Sequence, residues 1–265
     1  MIKMLVLDID GTVYKKDFTA SDKVKSCLKD LIVKGIKVVL ATGRMYSATV
    51  PIARELGINT PVICYQGGLI KEFYNSDKTL YEKMLPPALA REIIKNLKDR
   101  NIHFNLYIDD ILIVENDSET IRRYTDERKV TYKVINSIND IDLNNVNKIL
   151  AIDPDPQKIE KLTKELQKQY KDKLYIIRSM PIFCEFSNKD ATKGNAIKFL
   201  ADLWKIRDNE IMAIGDQDND IEMLSAAGVK VAMGNATSGL KEVADFITES
   251  VDNDGVCVAI DRFIN

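Results

Sequence analysis

Two aspartates, Asp8 and Asp10, stand directly behind the apolar run Met4-Leu5-Val6-Leu7. In an extended chain, residues two apart point to the same side, so both carboxylates reach one place. Like charges that close repel and shift each other's pKa unless a cation or a donor intervenes. A third carboxylate, Asp216, follows the run Ile211–Ile214 and Gly215, with Asn219 and Asp220 just beyond it. Thr42, Gly43 and Arg44 close another apolar run, Ile36 to Ala41. A lone aspartate at a strand end is ordinary, because a loop begins there. Polar clusters at three strand ends together point to chemistry. Carboxylates with few imidazoles or thiols make an oxygen donor set, which suits Mg²⁺, an ion that keeps waters and takes phosphate oxygens.

Other candidates carry two readings each. Lys193 precedes Gly194 at the start of a helix pattern, where its charge would face an anion held by helix-start amides. Its ordinary alternative is a solvated lysine. Thr42 fits a helix cap and a phosphate ligand equally well, and the two are compatible. His103 is the single histidine of the chain, remote from the carboxylates, and reads as a partly buried structural residue. One histidine also excludes two-imidazole phosphatase chemistry and HExxH zinc sites. No Gly-Lys and no Gly-x-Gly occurs, so the Walker A loop and the dinucleotide fingerprint are absent. None of the four cysteines has an arginine six positions later, which removes the cysteine-phosphatase loop.

These residues need elements to position them. The short buried runs Met4–Leu7, Ile36–Ala41, Val62–Cys64, Ile211–Ile214 and Val229–Met233 read as strands of a parallel sheet covered on both faces. Helix patterns lie between them: Ser21 as cap with Val24, Leu28 and Leu31 on one face and Gly35 as stop, Ile52 to Gly57, Ile197 to Trp204, and Met223 to Gly228. The start is therefore βαβαβ, a doubly wound α/β fold, whose ligands bind beyond the carboxyl ends of the strands. From about residue 83 the rhythm changes. Ile102, Phe104, Leu106 and Ile108 alternate with polar residues, Asp109-Asp110 turns the chain, and Ile111–Val114 returns, as in a half-exposed antiparallel hairpin. Helix patterns near Ile121 and Ile159 and strands at Lys148–Ile152, Leu174–Ile177 and Ile182–Phe186 complete an α+β domain. Residues 83–186 thus read as an insert in a discontinuous core of 1–82 and 187–265.

In order along the chain, Asp8-Ile9-Asp10-Gly11-Thr12, Thr42-Gly43-Arg44, Thr192-Lys193-Gly194 and Gly215-Asp216-Gln217-Asp218-Asn219-Asp220 resemble the four motifs of the haloacid dehalogenase-like superfamily, in particular its Cof-type phosphatases. The resemblance covers the whole chain, with room for the family's large cap between Thr42 and Lys193. It implies that Asp8 is the nucleophile forming an aspartyl-phosphate and Asp10 the general acid and base. Mg²⁺ would be held by Asp8, the backbone carbonyl of Asp10, and Asp216. Gly11, Thr42, Gly43, Lys193 and Asn219 would bind the phosphate, with Arg44 and Asp220 in support. One departure stands out: the family often has Asn-Gly after the third strand, where this chain has Gln66-Gly67-Gly68.

The implied activity is a Mg²⁺-dependent phosphatase acting on a small phosphorylated metabolite such as a sugar phosphate. A phosphomutase shares much of this inventory but would not release free phosphate. A phospho-acceptor receiver domain needs about half the length and leaves Asp10 and Asp216–Asp220 unexplained. The cleft-facing candidates in the insert are Asp109-Asp110 and Arg178-Ser179. With 265 residues and 38 basic against 40 acidic side chains, nothing suggests a nucleic-acid partner. No apolar run reaches a membrane span, and two aspartates within ten residues of the start are unlike a signal peptide. Four scattered cysteines without CxxC spacing fit a reduced cytoplasmic protein without a disulfide framework, and the chain is expected to be a monomer or a weak homo-oligomer.

Overall fold

The computed structural model describes residues 1–264. Strand β1 (Met4–Leu7) is four apolar residues, all buried, as a central parallel strand covered on both faces requires. Next come α1 (Asp22–Val33), β2 (Lys37–Leu40), α2 (Tyr46–Glu55) and β3 (Val62–Cys64). Ser21 caps α1, its hydroxyl accepting from the Val24 N–H at 3.1 Å, and Val24, Leu28 and Leu31 form the buried face. Strand β3 departs from the simple doubly wound expectation. A single parallel bridge, Ala41 to Ile63, joins it to the end of β2. Its main partner is β4 (Leu69–Lys71), antiparallel, and β5 (Thr79–Glu82) completes that small sheet. The tight turn at Tyr65–Gly67 reverses the chain there.

The middle of the chain holds α3 (Pro87–Asp99), β6 (His103–Ile108), β7 (Ile111–Val114), α4 (Glu119–Arg128), β8 (Tyr132–Val134), β9 (Val146–Ile152), α5 (Pro156–Gln169), β10 (Leu174–Met180) and β11 (Phe183–Asn188). Its six strands form one sheet in the order β10-β11-β9-β6-β7-β8. Ile93, Leu97, Ile159 and Leu166 from α3 and α5 share a core with Leu106, Ile149 and Phe186 of the sheet. The expected half-exposed hairpin is corrected here: Asn105, Leu106, Tyr107 and Ile108 are all buried. Leu106 and Ile108 face the core with α3 and α5, and Tyr107 is covered by helix α4. Its Tyr124 hydroxyl meets that of Tyr107 at 2.7 Å, and its ring packs on Phe183.

The chain then runs through α6 (Lys193–Trp204), β12 (Ile211–Gly215), α7 (Ile221–Ser225), β13 (Val229–Ala232), α8 (Ser238–Val243), β14 (Phe246–Ile247) and α9 (Gly255–Phe263). The principal sheet has the order β14-β13-β12-β1-β2, and every pairing in it is parallel. This is a doubly wound parallel core with an inserted α+β segment. Two compact units result, one of Met1–Arg44, Thr49–Tyr81 and Thr192–Asn265, the other of Met45–Ala48 and Glu82–Ala191.

One expectation fails outright. Cys27 on α1 and Cys257 on α9 are joined in a disulfide, with their Cα atoms 6.0 Å apart. They lie 230 residues apart in sequence, and only the packing of α1 against α9 brings them together. Cys64 and Cys184 are free and buried. Among the described residues no helix is long and apolar enough to cross a membrane.

Candidate active site

Every strand of the principal sheet points its carboxyl end the same way, so the residues that follow β1, β2 and β12 collect at one edge. Asp8 leaves β1 buried. Its Oδ1 accepts from the Lys193 ammonium at 2.5 Å, and the same ammonium reaches Asp220 Oδ1 at 2.6 Å. Lys193 is fully buried at the first turn of α6, behind the Thr192 cap whose hydroxyl accepts from the Asn195 N–H. The solvated-lysine alternative is thereby excluded.

Asp220 is the hinge of the loop after β12. Its Oδ2 accepts from the backbone N–H groups of Asp216 and Gln217, at 3.0 and 3.2 Å. Asp216 in turn accepts from the Thr12 hydroxyl at 3.3 Å and from Gln217 Nε2 at 2.8 Å. Gly11, at φ +87°, could carry no side chain: a Cβ there would run into the Asp216 carboxylate. Neither Thr12 nor Gln217 was singled out from the sequence, although both lie inside the motifs that were.

Asp10 is placed differently. Its carboxylate is held in a bidentate pair by Arg44, Nε to Oδ2 at 2.8 Å and Nη2 to Oδ1 at 2.5 Å, the strongest geometry of a charged hydrogen bond. The Arg44 guanidinium lies over the Phe18 ring. Thr42 and Arg44 flank the bend at Gly43, and the Thr42 hydroxyl accepts from the Arg44 N–H at 3.1 Å. Asn219 lies opposite, its Nδ2 donating to Gln66 Oε1 at 3.0 Å.

The charges are out of balance. Burial pushes the Asp8 carboxyl well above its usual pKa; Lys193 opposes this, while Asp220, Asp216 and Asp10 add to it. Burial and then Asp220 push Asp216 up to about 7. Burial disfavours the Lys193 ammonium, but Asp220 and Asp8 outweigh it and hold its pKa above the ordinary lysine value. One cation thus faces three buried carboxylates. Ligand oxygens of Asp8, Asp216 and Asp220 all lie within 4.8 Å of one another, an oxygen-only set that fits a hard divalent cation. The side chain of Asp10 is outside this cluster, on Arg44.

The insert candidates have structural partners. Asp110 accepts from the N–H groups of Tyr46 and Ser47 at 2.8 and 2.9 Å. Arg178 donates to the Pro181 carbonyl and holds the β10–β11 turn, while the Ser179 hydroxyl is buried without a partner. His103, half-buried, meets Asn105 Oδ1 at 3.0 Å, a structural role.

The family model described as haloacid dehalogenase-like hydrolase matches residues 5–260. The chain belongs to that family. It is 28% identical, over 100% of its length and 99% of the other, to 5-amino-6-(5-phospho-D-ribitylamino)uracil phosphatase YwtE of Bacillus subtilis. A haloacid dehalogenase-like hydrolase from Bacteroides thetaiotaomicron superposes with a TM-score of 0.87 at 30% identity, each chain covered in full. A Thermotoga maritima protein superposes at 0.85, again with 30% identity, over 100% of this chain and 98% of the other. The protein is accordingly a hydrolase of the phosphatase kind.

Proposed function

We propose that this protein is a Mg²⁺-dependent phosphatase that hydrolyses a small phosphorylated metabolite through an aspartyl-phosphate on Asp8. The observation that carries the reading is the placement of Asp8: buried at the end of β1, bonded to Lys193, within one carboxylate cluster, and two residues before an aspartate of separate environment. Asp8 Oδ attacks phosphorus and the ester P–O bond breaks, with Asp10 giving its proton to the leaving oxygen. Asp10 then takes a proton from water as that water attacks the aspartyl-phosphate, releasing phosphate and restoring Asp8. Lys193, Thr42, Asn219 and the backbone at Gly11 and Gly43 hold the phosphate oxygens, and Asp220 fixes Lys193. Asp8, Asp216 and the Asp10 carbonyl would hold Mg²⁺, which would supply the charge that lets a carboxylate approach a phosphate dianion. With both oxygens accepting from Arg44, Asp10 stands here as the carboxylate; it must turn from the guanidinium and take up a proton before it can give one to the leaving oxygen.

The unit carrying these residues is the catalytic core in this reading, and residues 83–186 form the cap that selects substrate. A polyol or sugar phosphate is the substrate class, by analogy with the phosphoribityl compound named for the Bacillus subtilis relative. On this reading charged metabolites of that kind favour the cytoplasm, where the Cys27–Cys257 bridge would be exposed to reduction.

The test is phosphate release over a panel of phosphorylated metabolites. Chelation should abolish release and added Mg²⁺ restore it, while Asp8→Asn should stay folded and release none. Full turnover without metal, or covalent label on any residue but Asp8, overturns the reading.

A further inference from the structure

The mechanism leaves the departure Gln66-Gly67-Gly68 unused, and the structure gives it unusual geometry. Tyr65, Gln66 and Gly67 all have positive φ, 52°, 60° and 104°. Side chains at the first two positions disfavour that conformation. Both residues are nonetheless buried, at 0% and 1% exposure. Backbone strain of this kind persists only where the surroundings hold it, and it gathers at functional sites.

Three motif loops hold this turn. The Tyr65 N–H donates to the Arg44 carbonyl and the Gln66 N–H to the Thr42 carbonyl, each at 3.0 Å. Gly67 lies so close to the start of α6 that a Cβ would strike the Thr192 carbonyl, one residue from Lys193. From this anchored backbone the Gln66 side chain reaches Asn219, accepting from Nδ2 at 3.0 Å. The other end of the Asn219 amide, Oδ1, is buried without a hydrogen-bond partner, so it does nothing to fix the amide plane. An amide nitrogen has two protons; Gln66 takes one and leaves the second for a phosphate oxygen.

We propose that Gln66 is a positioning residue for phosphate binding: its strained turn presses a long amide against Asn219 and so aims the Asn219 N–H at the phosphate. This inference rests on the phosphatase reading above. The alternatives at the position explain the choice of residue. Glycine would relieve the strain and lose the amide. Asparagine tolerates positive φ well but is a methylene shorter than the span observed here.

Two variants separate aiming from folding. Gln66→Met keeps length and burial but removes the acceptor, and Gln66→Gly removes both acceptor and strain. In each, KM for p-nitrophenyl phosphate and the inhibition constant of inorganic phosphate should rise about five- to tenfold. The change in kcat should be smaller, because an interaction present before and during transfer acts on binding. The melting temperature of Gln66→Gly should match or exceed that of the wild type. In an Asn219→Ala background Gln66→Met should add no further loss, since the residue acts through Asn219. Unchanged phosphate affinity in both variants, losses that multiply in the double variant, or a Gln66→Gly protein that loses stability and affinity together overturns the inference. Should Gln66→Met fail to fold, Gln66→Gly carries the same decision. A wild type that releases no phosphate counts against the phosphatase reading itself; an active wild type whose variants keep KM counts against Gln66 alone.

Discussion

Asp8 and Asp10 differ by two positions in sequence and by everything in surroundings. Asp8 is buried among like charges with Lys193 against it, whereas Asp10 is partly exposed and clamped by Arg44. In the phosphatase reading Lys193 keeps Asp8 the carboxylate that attacks, and Asp10, being partly exposed, can leave Arg44, take up a proton and deliver it. An alkoxide leaving from a sugar needs that proton, while a nitrophenolate departs without it, and proton transfer contributes roughly 10²–10⁴-fold. Asp10→Asn should therefore lose far more activity on a sugar phosphate than on p-nitrophenyl phosphate. With the aryl substrate a phosphoenzyme should accumulate, because attack by water still lacks its base. Steady-state rates on both substrates and the phosphorylated fraction after acid quench decide it. Equal losses without accumulation would assign Asp10 to loop geometry instead.

At the scale of elements, α1 shows how one hydroxyl serves two helices. Ser21 accepts from the Val24 N–H as the α1 cap and donates to Asp254 Oδ1 at 2.6 Å, just before α9. Ser21→Ala should cost about 1–2 kcal/mol, the upper part of the capping range, because a second bond goes with the cap. Urea unfolding at unchanged slope measures it, and a loss below about 0.5 kcal/mol would mean that water replaces both bonds. Such a helix was legible in the sequence because its signals are local: Ser21, the spacing of Val24, Leu28 and Leu31, and Gly35. So were β1, β2, β12 and the polar residues closing them. Helix α3 is absent from the sequence reading, although Ala90, Ile93, Ile94 and Leu97 space one apolar face. What no local signal carries is pairing across the chain. Gln66 meets Asn219, and Tyr124 of α4 meets Tyr107 of β6, because of tertiary packing alone.

For the whole molecule the Cys27–Cys257 bridge is the long-range constraint, tying the first helix to the last within the same unit. Cross-linking residues so far apart restricts the unfolded chain, typically by 2–4 kcal/mol. Thermal melts with and without dithiothreitol should show the wild type losing that stability on reduction. Cys27→Ser should melt at the lower temperature in both conditions. Identical wild-type melts would show that the two sulfurs only pack together in solution.

The position of β1 between β2 and β12 also orders events during synthesis. Met4–Leu7 gains one neighbour within the first forty or so residues, but the other, Ile211–Ile214, comes after the entire insert. At ~5–20 residues per second, about 200 residues of chain keep the ribosome busy for ~10–40 s. Throughout that interval four apolar residues present an unpaired edge of backbone N–H and carbonyl groups, the template that invites a wrong strand. Residues 83–186 emerge complete in the meantime, with their own core. Residues 83–186 are therefore complete while the sheet that holds Asp8 still lacks the strand on its other side.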